Sequence, residues 1–118
     1  SEITVIHLQT GEFVNYANVN AVAANKRGTL LALAIRSDHG ERGVQVVEVQ
    51  SGRVRTVFWG KDELAGLTWA PEKDTLAWLA GAPESGGKIG TNYRVHALEF
   101  EGNTITKRHV YEPSKDEV

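Results

Sequence analysis

The chain has 118 residues, of which 41% are hydrophobic and 24% are charged, and its formal net charge is −2. This length predicts one folded domain, and the composition argues against wholesale disorder. The slightly acidic balance gives no general attraction to nucleic acid or to anionic membranes. Because the sequence contains no cysteine, disulfides, zinc–thiolate sites and thiol catalysis are excluded.

No membrane insertion is expected, since the longest apolar run, Thr29–Ile35, is too short to span a bilayer. The chain opens on Ser1 and carries no basic-then-apolar leader. We therefore expect it to be an excerpt of a longer protein.

Apolar and polar residues alternate around short turns, which predicts ten strands and no helix. The predicted leading hairpin comprises Ile3–Leu8 and Phe13–Tyr16. A first set of four strands comprises Val19–Ala24, Thr29–Arg36, Val44–Gln50 and Val54–Trp59, and a second comprises Leu64–Ala70, Thr75–Ala80, Tyr93–Phe100 and Thr104–Tyr111. Longer loops are predicted at Ser37–Gly43 and Gly81–Asn92, which are rich in glycine and charge.

The sequence repeats itself. At an offset of 46 positions, VAANKRGTLLALA aligns with TWAPEKDTLAWLA, so that Leu30 aligns with Leu76 and Leu33 with Leu79. A second element, two alternating strands around a Thr-Gly or Ser-Gly turn, recurs at an offset of 41 positions. A period of about 40–50 residues with four strands per period is typical of a β-propeller blade.

The segment LTWAPEKDTLAWLA (67–80) resembles the W/F-S-P-D-G-K-x-L-A-F hairpin of TolB-like propellers and of the N-terminal propellers of prolyl-oligopeptidase and dipeptidyl-peptidase enzymes. The strand pairs that turn at Ser-Gly resemble the outer hairpin of the same repeats. Two positions depart from the pattern, because Glu72-Lys73-Asp74 replaces Asp-Gly-Lys and the first copy lacks the proline. These motifs describe turns and packing, so the resemblance implies a fold rather than an activity, and it slightly favours a periplasmic location.

The predicted fold is all-β, with antiparallel four-stranded propeller blades, about two and a half of them, forming a partial propeller. Residues 1–18 would be the outer hairpin of an incomplete blade, 19–60 a first complete blade, 61–112 a second, and 113–118 a frayed tail. The alternative is a β-sandwich, which also has many short strands but does not usually repeat its own sequence.

Catalytic chemistry has little support in the sequence. The stretch GAPESGGKI (81–89) superficially resembles a phosphate-binding loop, but Ile89 stands where a hydroxyl is needed and a strand follows instead of a helix. No serine lies in a G-x-S-x-G elbow. We predict no catalytic residue, no metal and no cofactor in this chain.

The loop around His39 is the most polar in the chain. Asp38, His39 and Glu41 offer metal-ligand chemistry, yet both acids are equally placed to pair with Arg36 and Arg42. A solvated, salt-linked loop is the favoured interpretation. His7, His96 and His109 are predicted to be strand-face residues.

The predicted binding face is the rim made by the loops 37–43, 59–63 and 81–92, because rigid strands commonly hold recognition loops. The candidate rim residues are Arg36, Asp38, His39, Glu41, Arg42, Trp59, Lys61, Lys88 and Tyr93.

Two functions remain open. The chain is either a non-catalytic propeller segment that binds a protein or peptide, or a piece of the gating propeller of a prolyl-oligopeptidase-like serine peptidase. Since a closed propeller needs more blades, we also expect association with copies of itself or with the remaining blades of a parent propeller.

Overall fold

The computed structural model describes the backbone of residues 3–6, 13–16, 18–84 and 88–112, and the side chains of residues 18–82 and 92–112. Within these ranges the regular structure consists of ten β-strands. They are β1 (Ile3–Ile6), β2 (Phe13–Tyr16), β3 (Val19–Ala24), β4 (Leu30–Arg36), β5 (Arg42–Glu48), β6 (Val54–Gly60), β7 (Glu63–Trp69), β8 (Thr75–Glu84), β9 (Lys88–Glu101) and β10 (Thr104–Tyr111). The described residues contain no helix that is long and apolar enough to cross a membrane.

Every strand pairs with its neighbour in sequence, and every pairing is antiparallel. Strands β1 and β2 form a leading hairpin, β3 to β6 form a first four-stranded sheet, and β7 to β10 form a second. The predicted all-β fold, with two four-stranded antiparallel sheets and a leading hairpin, is confirmed.

The core lies between the two sheets. One of the leucine pairs that align in the sequence repeat, Leu30 and Leu76, is fully buried there. Trp78 lies among them and is 2% exposed. Its ring packs against Phe58 in a T-shaped arrangement, with ring centroids 5.9 Å apart. Val44 and Trp78 are covered in the same way, because each packs in the cluster between the sheets.

The second sheet differs from the prediction at its longest hairpin. We predicted a loop at Gly81–Asn92, but β8 continues to Glu84 and β9 begins at Lys88. Two strands that are already neighbours gain by continuing their ladder, because each further pair satisfies backbone N–H and C=O groups. Pro83 has no N–H to donate, and the register shift between Gly81 and Pro83 accommodates it.

Two smaller boundaries also move. Strand β5 was predicted over Val44–Gln50 and instead spans Arg42–Glu48, since the chain turns where Gly52 N donates to Glu48 O at 2.7 Å. The predicted loop at Ser37–Gly43 is correspondingly shorter. The end of the predicted first strand, His7–Leu8, lies outside the described residues.

The sheets have two distinct ends. The turn end carries the hairpin turns at residues 25–29 and 70–74, and the rim end carries the 37–41 loop and the 61–62 connection between the sheets. At the turn end the sheets are joined by direct hydrogen bonds, including Trp69 Nε1 to Ala23 O at 2.8 Å and Asn25 Nδ2 to Asp74 Oδ1 at 3.1 Å. This end is therefore closed by protein-to-protein contacts.

Candidate functional site

The 37–41 loop at the rim end is held by its own backbone and by Ser37. Ser37 N donates to Glu41 O at 2.8 Å, and Ser37 Oγ accepts from the amides of His39 at 3.2 Å and Glu41 at 3.1 Å. Gly40 adopts φ +85°, a conformation that glycine takes without strain. The loop is thus a preformed turn, and it presents Asp38 and His39 to solvent.

Arg42 lies beneath this loop, 7% exposed. Its Nη2 is 2.9 Å from Glu63 Oε2 on the second sheet, and its Nη1 donates to Gly40 O at 3.1 Å and Lys61 O at 3.3 Å. Arg42 therefore ties the loop to the connection between the sheets. A buried charge is tolerated here because a carboxylate neutralises it.

Trp59 is an aromatic residue at the rim end that is 47% exposed. Its Nε1 donates to Glu41 Oε2 at 3.0 Å. Gly43 pairs with it from β5, and a Cβ added there would clash with Trp59 Cε3. The indole thus lies directly over the glycine backbone, and its orientation is fixed before any ligand arrives.

Two clefts open at this end. The first, a cavity of about 100 Å³ between the two sheets, is bordered by Asn20, Arg42, Glu63 and Trp78 together with apolar residues of both sheets. The second, a shallower cleft of about 260 Å³, lies on the second sheet and includes Tyr93 and Arg94 in its wall. Arg94 is held there by Glu112, with Nε to Oε1 at 3.0 Å.

The structure places the predicted rim residues in different positions. Those at the surface of the rim end are Arg36, Asp38, His39, Glu41, Trp59 and Lys61. Tyr93 is half-buried in the second cleft on the other sheet, and the side chain of Lys88 lies outside the described residues. Arg42 is buried, so it supports the rim from below rather than forming its surface.

The prediction that Arg42 forms an ion pair inside the loop is wrong, because the partner of Arg42 lies on the second sheet. Arg42 pairs with Glu63 instead of Asp38 or Glu41, and Glu41 accepts from Trp59. Sequence reasoning missed Glu63 because an acid at the start of a strand looks like any solvated residue. The sequence feature that could have indicated the role of Glu63 is its position at the predicted junction of the two blades.

Two histidines have described side chains on strand faces. His96 stacks on Trp78 with ring centroids 5.3 Å apart, and its Nε2 is buried with no hydrogen-bond partner. Burial lowers the pKa of His96 from 6.5, Arg94 lowers it further, and Asp62 opposes the shift. His109 lies 2.6 Å from Glu99 on the exposed outer strands, and that hydrogen bond lowers the pKa of the Glu99 carboxyl.

The sequence matches no model of a known protein family and no curated protein. Similar folds occur among solved structures. The β-propeller domain of the Trilobed protease from Pyrococcus furiosus superposes with a TM-score of 0.63 at 11% identity, covering 92% of this chain and 34% of that domain's chain. An acylaminoacyl peptidase in complex with a chloromethyl ketone superposes with a TM-score of 0.58 at 11% identity, covering 93% of this chain and 20% of the other. The Pyrococcus horikoshii acylaminoacyl peptidase gives 0.58 at 9% identity, with coverages of 94% and 21%.

The chain thus spans about a third of the first structure and about a fifth of each peptidase. Sequence identities this low establish a shared fold and nothing finer. The predicted resemblance to propellers of the prolyl-oligopeptidase type is confirmed at that level. The two four-stranded sheets of this chain are β-propeller blades, in an arrangement that is not closed.

Proposed function

We propose that this chain is a non-catalytic β-propeller segment that binds a protein or peptide at its rim end. The observation that carries the proposal is the fixed, half-exposed indole of Trp59, held by Glu41 and Gly43. A preorganised aromatic ring binds a partner without first losing conformational entropy. Tryptophan and tyrosine are also the residues that most often dominate binding energy at interfaces.

The surroundings of Trp59 support the same assignment. Polar side chains of the 37–41 loop flank it, and the two clefts lie at the same end of the sheets. At the turn end, by contrast, exposed Lys73 lies on a short turn with no comparable aromatic residue beside it.

The test is selection of a random peptide library displayed on phage against the 118-residue chain. The affinity of an enriched synthetic peptide is then measured for the wild type and three variants. Trp59→Ala and Tyr93→Ala should each weaken binding about tenfold or more, as expected for interface anchors. Lys73→Ala, on the turn end, should leave binding unchanged. Equal losses for all three variants, or no peptide enriched over an unrelated β-propeller, would contradict the proposal.

A second candidate function is favoured by the comparisons. Solved structures with the same fold include the propeller domain of a protease and two acylaminoacyl peptidases. On this interpretation the segment belongs to a propeller that accompanies a serine peptidase domain. The check is the parent reading frame, in which a G-x-S-x-G motif should follow a predicted strand downstream of this segment.

The partner would include further propeller blades. The outer face of the second sheet carries Ala77, Leu79, Val95 and Ala97, all only half-buried. Apolar surface of this kind is stabilised by roughly 25 cal/mol for each Å² covered. Light scattering at micromolar concentration should therefore give a mass above the 12.9 kDa of one chain. A folded, non-aggregating monomer would refute this part of the proposal.

A further inference from the structure

The cavity between the two sheets has an unusual lining. Most of its wall is apolar, contributed by Ala21, Ala34, Ile35, Val44, Leu64, Ala65 and Leu67. Four residues of the wall, Asn20, Arg42, Glu63 and Trp78, carry polar side-chain groups. An apolar wall with a few polar groups is typical of sites that recognise small organic groups.

Three of those polar groups have unused hydrogen-bonding capacity. Arg42 Nε and Trp78 Nε1 are buried donors without a hydrogen-bond partner, and Glu63 Oε2 is a buried acceptor without one. Glu63 Oε2 lies 2.9 Å from Arg42 Nη2, but the angle does not make that contact a hydrogen bond. Buried polar atoms are nearly always paired, so three unpaired atoms around one cavity call for an occupant.

Two of the three side chains that carry these atoms are held by other contacts, whereas Asn20, which also borders the cavity, is exposed. The Trp78 ring is stacked on His96, with ring centroids 5.3 Å apart and an interplanar angle of 3°. Phe58 packs against Trp78 in a T-shaped arrangement, with ring centroids 5.9 Å apart. The Arg42 guanidinium is held by the carbonyls of Gly40 and Lys61. These contacts hold the two donor side chains, Arg42 and Trp78, in place.

The charge of the cavity narrows the choice of ligand. Arg42 and Glu63 neutralise each other, so a free carboxylate would be repelled by Glu63 and an ammonium group by Arg42. A ligand that accepts from the two N–H groups and donates to the carboxylate satisfies all three atoms. A primary carboxamide has this pattern, with a C=O acceptor and an NH₂ donor on one planar group.

We propose that the cavity binds the carboxamide side chain of a glutamine or asparagine in a peptide that lies across the rim. The carboxamide oxygen accepts from Arg42 Nε–H and Trp78 Nε1–H, its NH₂ donates to Glu63, and the short methylene stem contacts the apolar wall. This inference rests on the proposed peptide-binding function. Water alone fits less well: a single molecule needs only about 10–15 Å³, so several would have to share a mostly apolar space of about 100 Å³.

The test follows the Trp78 indole N–H resonance in ¹⁵N-labelled protein while propionamide is added. We expect a saturable shift of this resonance. Propionate and butanone are matched probes with as many heavy atoms as propionamide, one charged and the other with a methyl group in place of the NH₂ donor. Both should bind at least about tenfold more weakly, the loss typical of one hydrogen bond.

Two variants complete the test. Trp78→Phe keeps an aromatic ring but removes one donor, so propionamide affinity, followed through the backbone amides of Ala34 and Leu64, should fall about tenfold. Trp69→Phe is the matched control, because Trp69 Nε1 already donates to Ala23 O at the turn end, and it should leave propionamide affinity unchanged. The comparison of probes on the wild type stands even if Trp78→Phe does not fold.

A Trp78 resonance that does not move with propionamide would mean that the cavity holds water only, and would overturn the inference. Equal binding of propionate would overturn it as well. Peptides selected on the rim that bind well but gain nothing from glutamine or asparagine would also refute it while leaving the proposed function intact. Saturable propionamide binding without any rim-dependent peptide binding would instead support the pocket and remove the proposed function.

Discussion

The two ends of the blade pair differ in how the polar side chains between the sheets are paired. At the turn end, polar side chains cross from one sheet to the other and find partners, as Asn25 does with Asp74 and Asn103 with Glu48. At the rim end, one ion pair joins the sheets, and a cavity with unpaired polar atoms lies beside it. The turn end also has an open cleft, of about 620 Å³ beside Lys73. The two ends therefore differ in how the polar groups between the sheets are paired, and not in whether a cleft is present.

This difference has a simple cause in the chain. The turns at residues 25–29 and 70–74 are short and lie against each other, so their side chains meet directly. The rim end carries the 37–41 loop, which is no longer than these turns, and the 61–62 connection. A cavity remains there between residues of β3, β4 and β7. A fold can concentrate stability at one end and leave the other free for recognition.

The largest expected effect comes from breaking the Arg42–Glu63 ion pair that joins the sheets at the rim end. Arg42→Ala leaves the Glu63 carboxylate without its partner, with only 16% of that side chain exposed. Removing one partner of a buried pair costs about 3–5 kcal/mol. Urea denaturation should show this loss in the free energy of unfolding.

Arg36→Ala is the matched control for Arg42→Ala. Arg36 is the cross-strand neighbour of Arg42 but is exposed, so its replacement should change stability by about 0.5 kcal/mol or less. Similar small losses for both variants would show that the buried pair does not hold the rim end together.

The second-largest loss of stability is expected from removing hydrogen bonds at the turn end. Asn25 is 3% exposed, and its Oδ1 accepts from the amides of Thr29 at 2.9 Å and Leu30 at 3.0 Å. Asn25→Ala leaves buried donors unsatisfied, which costs about 1–3 kcal/mol. Thermal or urea unfolding should record the loss, while the Trp78 indole resonance of the folded protein stays in place. A shifted Trp78 signal would mean that the two ends are coupled, contrary to the comparison.

A smaller effect depends on pH. Burial holds the pKa of His96 below 6.5 in the folded protein, so the unfolded chain binds a proton more readily. The neutral ring therefore contributes stability that is present above the unfolded pKa and is lost as pH falls through the lower folded value. Urea midpoints measured between about pH 7.5 and about pH 5 should fall with pH, because the imidazole of the unfolded chain binds its proton in this range.

His96→Phe preserves the aromatic stack on Trp78 and removes the titrating group. Its unfolding midpoint should depend less on pH than that of the wild type over the same range. An unchanged pH dependence in this variant would place its origin in other groups.

The smallest effect concerns the exposed ion pair at the turn end. Lys26 Nζ and Glu72 Oε2 are 3.3 Å apart, but 67% and 80% of the two side chains are exposed. Lys26→Ala should therefore cost no more than about 0.5 kcal/mol, and less in high salt. A loss as large as that of Asn25→Ala would show that charge, rather than buried hydrogen bonding, closes the turn end.

The sequence by itself determined the repeating architecture. Alternating side chains decide which face of a strand is buried, and equivalent positions such as Leu30 and Leu76 are buried in both blades. Short turns rich in glycine, proline and aspartate placed the hairpins within a few residues of their observed bounds. These features are local, so they can be predicted from neighbouring residues alone.

Only the tertiary structure decided which polar residues are buried and what they contact. Arg36 and Arg42 look alike in sequence, yet one faces solvent and the other is buried against Glu63 of the next blade. The cavity likewise depends on how far apart β3, β4 and β7 stand, which no single strand encodes. Burial of charge is set by partners distant in sequence, because an unpaired charge cannot leave water without a large free-energy cost.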